Sequence, residues 1–124
     1  MDRAFIAIGA LSGCLAVAAG AFGAHALRAR LAPEMLDVFQ TGVTYEMYHA
    51  LGLVGVGILL ARFSTEGSVW LSAAGWLFIA GSLLFSGSLY LLALTGTLWL
   101  GAITPLGGVA FLLGWLALAT GILR

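Results

Sequence analysis

Charged residues are scarce in this sequence of 124 residues. They make up 8% of the chain, whereas hydrophobic residues make up 62% and the mean hydropathy is +1.12. Soluble domains carry about 25% charged residues. The composition therefore excludes an ordinary soluble domain and predicts an integral membrane protein.

Net charge is also absent, because five basic residues are balanced by five acidic ones. The chain thus lacks the positive surface that binds nucleic acid and any polybasic run for anionic lipid. We expect no nucleic-acid partner. All five basic residues are arginine, and neither lysine nor asparagine occurs. This bias favours a GC-rich bacterial genome and hence the bacterial inner membrane.

Chemistry-bearing motifs are equally sparse. The single cysteine, Cys14, excludes an intramolecular disulfide and is interpreted as a small buried packing residue. The sequence contains no nucleophile with a neighbouring base, no cluster of metal ligands and no phosphate-binding loop. We therefore predict no catalytic residue, no metal site, no cofactor and no enzymatic activity.

Four apolar runs are present, and each is long enough to cross a bilayer, which takes roughly 20 residues. They cover residues 4–27, 42–61, 69–92 and 102–123. The connections between them are short, so residues 1–124 form one domain. The predicted fold is an all-α membrane protein, an antiparallel bundle of four transmembrane helices. Pro33 is expected to begin a short interfacial helix before the second span.

The orientation follows from the arginines. Arg3, Arg62 and Arg124 lie on the side of the termini, against Arg28 and Arg30 on the other side. The positive-inside rule then predicts cytoplasmic termini. The sequence at residues 24–26 has the A-x-A form of a signal-peptide cleavage site, but the preceding apolar run is too long for a signal peptide, so we expect no cleavage.

Polar side chains gather at one end of the four spans. Glu46 and His49 lie three residues apart on one helical face. A carboxylate in a membrane helix is costly, so it marks a candidate functional site. In an antiparallel bundle the following residues would share one leaflet and line a one-sided pocket: His25, Arg28, Tyr45, Glu46, His49, Ser86, Ser88, Tyr90 and Thr104.

Several interpretations of this predicted pocket are open. Glu46 is expected to pair with Arg28 or His25 and so join the first two spans. The histidines are expected to be hydrogen-bonded packing residues. The Glu46-x-x-His49 spacing also occurs in di-metal helix bundles, but those need more carboxylates than this chain supplies. Axial haem ligation by His25 and His49 would need a cavity that the sequence does not suggest.

Small residues form two stripes that allow close helix packing. Ser12, Ala16, Gly20 and Ala24 recur every four residues on the first span, and Gly107, Gly114 and Gly121 recur every seven on the fourth. Such stripes bring helix backbones together in membranes. We expect packing within one chain, with self-association as the alternative.

Four segments resemble the signature blocks of a known family of small four-helix membrane proteins. They cover residues 20–27, 39–51, 85–90 and 100–108. Bacterial members of that family carry a domain-of-unknown-function label, and its eukaryotic relatives are small mitochondrial-type transmembrane proteins. The resemblance implies the four-span fold and implies no activity. The positions that match the family pattern are His25, Glu46, His49, Ser86, Ser88, Thr104 and Pro105.

Two functions are consistent with these features. The first is a non-enzymatic membrane protein that binds a lipid or small molecule, or that docks as an accessory subunit on a larger complex. The second is a proton-linked transporter or channel, with Glu46 and His49 exchanging protons. A monomer offers no continuous polar path, so the second would need an oligomer. Expected partners are membrane lipids, and a homo-oligomer or a larger membrane complex is possible.

Overall fold

A computed structural model describes residues 1–63 and 67–124, and its secondary structure in those ranges is entirely helical. The α-helices are α1 (Asp2–Phe22), α2 (Pro33–Arg62), α3 (Ser68–Gly81), α4 (Gly87–Thr95) and α5 (Thr104–Leu123). Two π-helical segments, Gly23–Leu27 and Ser82–Ser86, extend α1 and join α3 to α4. A 3₁₀ helix, Leu98–Ala102, precedes α5.

These elements combine into four helices that are long and apolar enough to span a membrane. The first span is Asp2–Leu27, the second Pro33–Arg62, the third Ser68–Thr95 and the fourth Leu98–Leu123. The predicted all-α fold with four transmembrane helices is confirmed. The short connection predicted between the second and third spans includes residues 64–66, which lie outside the described residues.

The second span differs from its prediction at the start. Pro33 occupies the first turn, after an extended Ala32, and the helix then continues without a break to Arg62. The predicted interfacial helix is therefore not a separate element. The hydroxyls of Thr41 and Thr44 donate to the backbone carbonyls of Asp37 and Gln40. Polar residues at this point are thus accommodated within a continuous helix.

The small-residue stripe of the first span packs against the second span. A Cβ atom at Gly9 would lie 2.8 Å from the carbonyl oxygen of Ala50, and one at Gly20 would lie 3.3 Å from Val43. Ala16 is buried, whereas Ala24 is exposed. The predicted packing role is therefore not seen for Ala24, because the close contact there is made by Gly23, which packs against Phe39 and Gln40.

The fourth-span stripe packs within the same chain. Gly114 lies against the ring of Phe78, Gly107 against the backbone of Phe85, and Gly121 against Leu71. All three glycines are buried. These contacts all lie within one chain. Glycine lets the third and fourth helices approach closely enough for large aromatic rings to fill the space between them.

An apolar core fills the half of the bundle beyond Glu46, near the two termini. Its buried members are Phe5, Leu53, Val56, Ala74, Phe78, Phe111 and Ala117. Cys14 is exposed, which corrects its expected burial. At the opposite end Gly96 closes the third span with a left-handed backbone, φ 71°, a conformation that glycine adopts without strain.

Candidate functional site

Glu46 lies near the middle of the second span. Because that helix begins at Pro33, about 20 Å of helix precedes Glu46, at about 1.5 Å rise per residue. The second span was predicted to begin at Gly42, and the helix begins nine residues earlier, so Glu46 lies deeper in its helix than that range implied. Glu46 is 8% exposed and so is largely removed from solvent and lipid.

Two hydroxyl groups donate hydrogen bonds to the Glu46 carboxylate. Ser12 Oγ of the first span donates to Oε2 at 3.0 Å, and Tyr90 Oη of the third span donates to Oε1 at 2.6 Å. Glu46 therefore joins three of the four spans. Hydrogen bonds to a buried carboxylate offset part of the cost of removing it from water.

The predicted ion pair with Arg28 or His25 is not formed, which corrects that expectation. Both side chains are exposed, and the only ion pair in the described ranges joins the N-terminal amine to Asp2. Ser12 lies beside Glu46 at mid-helix, and His25 lies about 20 Å further along the same span at about 1.5 Å rise per residue. Neither His25 nor Arg28 is at the depth of the carboxylate.

The third span contacts the second span near this carboxylate through Tyr90 and Ser86. Side chains of a helix lean toward its N-terminus, so the Tyr90 hydroxyl extends from near the end of the span back toward its middle. In the π-helical segment, buried Ser86 donates from Oγ to the carbonyl oxygen of Gly42 at 2.7 Å. Such π-helical turns occur frequently at functional sites.

His49 has both ring nitrogens engaged. Nδ1 lies 2.7 Å from the carbonyl oxygen of Tyr45, and Nε2 lies 3.0 Å from the indole Nε1 of Trp115. A carbonyl only accepts and an indole only donates. His49 therefore carries its proton on Nδ1 and is neutral. Its ring also stacks on Phe111 at a centroid distance of 3.4 Å.

This geometry gives His49 the packing role that the sequence favoured. Because both nitrogens already have partners, neither is free to bind a metal or haem iron. Glu46 and His49 share a helical face, yet their polar atoms meet different spans: Glu46 meets Ser12 and Tyr90, and His49 meets Trp115. The metal and haem interpretations therefore lose support.

A second polar contact joins the third and fourth spans. Ser88 Oγ donates to the carbonyl oxygen of Phe85 at 2.9 Å, so Thr104 Oγ1 donates to Ser88 Oγ at 2.6 Å. Ser88 is buried. This pair is separate from the Glu46 cluster and holds the start of α5 against α4.

A groove of about 340 Å³ lies beside Glu46, between the first and third spans, with the second span as its floor. We call it the Glu46 groove. Phe5 reaches Trp76 across the far end, with ring centroids 5.5 Å apart. Its volume lies within the roughly 300–1,000 Å³ of small-molecule sites. It is lined by Ile8, Leu11, Ser12, Leu15, Glu46, His49, Ala50, Leu53, Ile79, Ser82, Leu83, Ser86, Gly87 and Tyr90.

A second cavity of about 570 Å³ lies on the other side of His49, between the second and fourth spans. We call it the aromatic cavity. Tyr45 is partly exposed at its edge and packs on Phe85, with centroids 4.7 Å apart. It is lined by Tyr45, Tyr48, His49, Phe85, Pro105, Gly108, Phe111, Leu112 and Trp115.

The structure thus divides the predicted pocket. Glu46, His49, Ser86 and Tyr90 line the Glu46 groove, Tyr45 and His49 line the aromatic cavity, Ser88 and Thr104 form their own pair, and His25 and Arg28 are exposed. Sequence reasoning missed Ser12 as a partner of Glu46 and Trp115 as a partner of His49. A hydroxyl on the small-residue stripe was the available signal for Ser12. No local pattern marked Trp115.

Comparisons with known proteins place the chain in a family. Residues 19–108 match the model of the "Protein of unknown function (DUF423)" family. This protein is a member of the DUF423 family. Those residues contain Glu46, His49, Ser86, Tyr90 and Thr104, whereas Ser12 precedes them. The predicted resemblance to a small membrane family of unknown function is confirmed.

Bacterial relatives match this DUF423 protein over nearly its full length. It is 50% identical to the UPF0382 membrane protein YwdK of Bacillus subtilis over 122 residues, which is 98% of each chain. It is 47% identical to a UPF0382 membrane protein of Staphylococcus saprophyticus, again over 98% of each. No solved structure matches the chain. The prediction of a multi-pass bacterial membrane protein is confirmed.

Proposed function

We propose that this DUF423 protein is a non-enzymatic membrane protein that binds a lipid or small molecule in the Glu46 groove. The groove itself is the observation that carries the proposal. It joins a long apolar wall to a small polar head at one depth, where Glu46 is held by Ser12 and Tyr90. Apolar pockets with a few convergent polar groups are typical of small-molecule sites.

The position of the groove also supports a membrane ligand. The first span packs on the second, and the third packs on the second and fourth, so the groove lies between two helices that approach where Phe5 packs on Gly75 and Trp76. Large apolar residues of both rims are exposed, among them Leu11, Leu15 and Leu83. A ligand dissolved in the bilayer would therefore enter from the side.

Binding is better supported than conduction. Beyond Glu46 the bundle is filled by the apolar core around Phe78 and Phe111, which offers a permeating ion no groups to replace its hydration. His49 is held neutral between Tyr45 and Trp115, so it offers no free site for proton exchange. The proton-linked transporter is the second candidate and would need a path between chains.

Membrane lipids are the partners that this proposal implies. Association with a second copy or a larger complex would use the lipid-facing surface, because the glycine stripe of the fourth span is already covered by the third span. An accessory role in such a complex is compatible with ligand binding in the Glu46 groove.

Two glycine substitutions test the proposal. Gly87 lines the groove, and a Cβ atom there would have no neighbour within 4 Å; Gly55 has the same open space but does not line the groove. Gly87→Leu should therefore fill the groove, while Gly55→Leu is its matched control. Both variants and the wild-type protein are purified gently, and bound molecules are identified by native mass spectrometry.

We expect a bound molecule with the wild-type protein and with Gly55→Leu, and its loss from Gly87→Leu. The physical reason is steric, since a leucine side chain would occupy the space that the ligand needs. Identical bound molecules in all three proteins, or none in any of them, would defeat the proposal.

A further inference from the structure

Hydrogen-bond donors and acceptors are unequally distributed around the Glu46 groove, and this identifies the class of ligand. We propose that the groove takes a lipophilic ammonium ion: a positively charged, hydrogen-donating amine head attached to an apolar tail. This inference rests on the proposed binding function and specifies which chemistry the groove selects.

The polar side chains at the Glu46 end of the groove offer a ligand mainly hydrogen-bond acceptors. Each oxygen of the Glu46 carboxylate receives one hydrogen bond, from Ser12 or from Tyr90, and a carboxylate oxygen has a second acceptor site. The hydroxyls of Ser12 and Tyr90 use their hydrogens on Glu46. What these two groups retain for a ligand is lone pairs.

The neighbouring polar groups follow the same rule. Ser86 uses its hydroxyl hydrogen on the carbonyl of Gly42, and His49 uses its one N–H on the carbonyl of Tyr45. Among the groove-lining hydroxyl groups in residues 1–63 and 67–124, only that of Ser82 donates no hydrogen bond to the protein. A ligand head that only accepts would therefore find little to bind, whereas a head with several N–H groups would be satisfied.

The charge of the Glu46 carboxylate also favours a cationic ligand. Over the described part of the chain no cation pairs with Glu46, and all five arginines are exposed. Two hydroxyl donors solvate a carboxylate without neutralising it, and an unbalanced charge in an apolar setting is costly. An ammonium ion would supply the missing positive charge together with charge-assisted hydrogen bonds, which are among the strongest in proteins. The Tyr90 ring beside the carboxylate is also a surface that cations favour.

The rest of the groove suits an alkyl tail. From Glu46 toward Phe5, the walls are formed by aliphatic side chains, including Ile8, Leu53 and Ile79. These offer no polar partner, so a second charge on the ligand would be unpaired there. The geometry therefore favours one cationic end and one apolar end.

The test uses probes with the same tail and different heads: dodecylamine, dodecanol and dodecanoate. Binding to the purified protein in non-ionic micelles is measured by equilibrium dialysis, and each value is referenced to partition into protein-free micelles. We expect the amine to bind about tenfold or more tightly than the alcohol, because its hydrogen bonds to the carboxylate are charge-assisted. Dodecanoate should bind most weakly of the three probes.

Variants of Glu46 test whether the preference for the amine over the alcohol arises in the groove. Glu46→Gln should abolish the preference for the amine over the alcohol, and Glu46→Asp should retain it. Glu34→Gln is the control, because Glu34 is an exposed acid in the first turn of the same helix. Should Glu46→Gln fail to fold, the ratio of amine to alcohol binding in the wild-type protein still decides the question.

The same ammonium group occurs on a free amine and on a phosphatidylethanolamine headgroup, so lysophosphatidylethanolamine is a fourth probe. Preference for it over dodecanol would assign the lipid headgroup, and preference for dodecylamine alone would assign a free amine. Equal binding of amine and alcohol would overturn the ligand class while leaving the binding function intact. Binding of none of the probes would overturn the ligand class, and the glycine variants decide the binding function separately.

Discussion

At the scale of single residues, Glu46 and His49 are both buried polar side chains, and their hydrogen-bonding groups are satisfied to different extents. Glu46 lines the Glu46 groove and accepts one hydrogen bond at each carboxylate oxygen, which leaves each oxygen a further acceptor site. His49 is closed off, since Tyr45 and Trp115 occupy both of its nitrogens. Of these two residues, only Glu46 retains the capacity to bind a further group.

The contact between Ser12 and Glu46 leads to a prediction from a double-mutant cycle. Ser12→Ala combined with Glu46→Gln should give a coupling energy within the roughly 0.5–3 kcal/mol found for residues in contact. Arg28→Ala combined with Glu46→Gln should give a coupling near zero, because Arg28 is exposed at the end of the first span. Unfolding free energies are measured in mixed micelles. Strong coupling to Arg28 would restore the ion pair that the sequence suggested.

At the scale of helices, contacts are set by where glycine lets backbones approach. The first and second spans meet at Gly9, and the third and fourth meet along Gly107, Gly114 and Gly121. The first and third spans have no comparable stripe between them. The groove is the space left between them, where the small third-span residues Ser82, Ser86 and Gly87 line it without filling it.

Gly9 and Gly55 make a matched pair for testing this account. A methyl group at Gly9 would lie 2.8 Å from the Ala50 carbonyl oxygen, which belongs to the backbone and cannot rotate away. Gly9→Ala should lower the unfolding free energy by about 1–3 kcal/mol through overpacking. Gly55→Ala meets nothing within 4 Å and should raise stability by up to about 1 kcal/mol. Equal effects in micelle unfolding experiments would contradict the close approach of the first two spans.

At the scale of the whole molecule, polar groups and apolar core occupy different parts of the bundle. Glu46 lies at mid-helix, the Ser88–Thr104 pair lies toward the connection between the third and fourth spans, and the Phe5 and Phe78 core fills the half nearer the termini. A groove that stops against such a core suits a ligand that enters from the bilayer and leaves the same way.

This separation predicts that the protein does not conduct. Proteoliposomes containing the wild-type protein should show no proton or ion flux above that of empty vesicles, because the apolar core offers no replacement for hydration. Flux is followed with a pH-sensitive dye inside the vesicles under an imposed potential. Flux that disappears with Glu46→Gln but persists with Glu34→Gln would favour the transporter instead.

Much of the fold follows from hydropathy, which adds up along the chain and needs no knowledge of neighbours. It predicted four spans and placed Glu46 and His49 on one helical face. It did not find the start of the second helix, because residues 33–41 are polar enough to resemble a connection. A helix that starts at Gly42 places Glu46 near the end of the bundle that carries Arg28, so the sequence favoured Arg28 as its partner.

The sequence by itself determined that this is a four-span membrane protein with a costly carboxylate in its second helix, because burial of apolar residues in a bilayer depends on composition and length. The tertiary structure decided what that carboxylate meets. Partner choice depends on which residues share a depth and a facing surface, and these are fixed by helix starts, glycine contacts and the π-helical segment at Ser82–Ser86. Ser12 and Tyr90 are distant from Glu46 in sequence, so only packing brings them together.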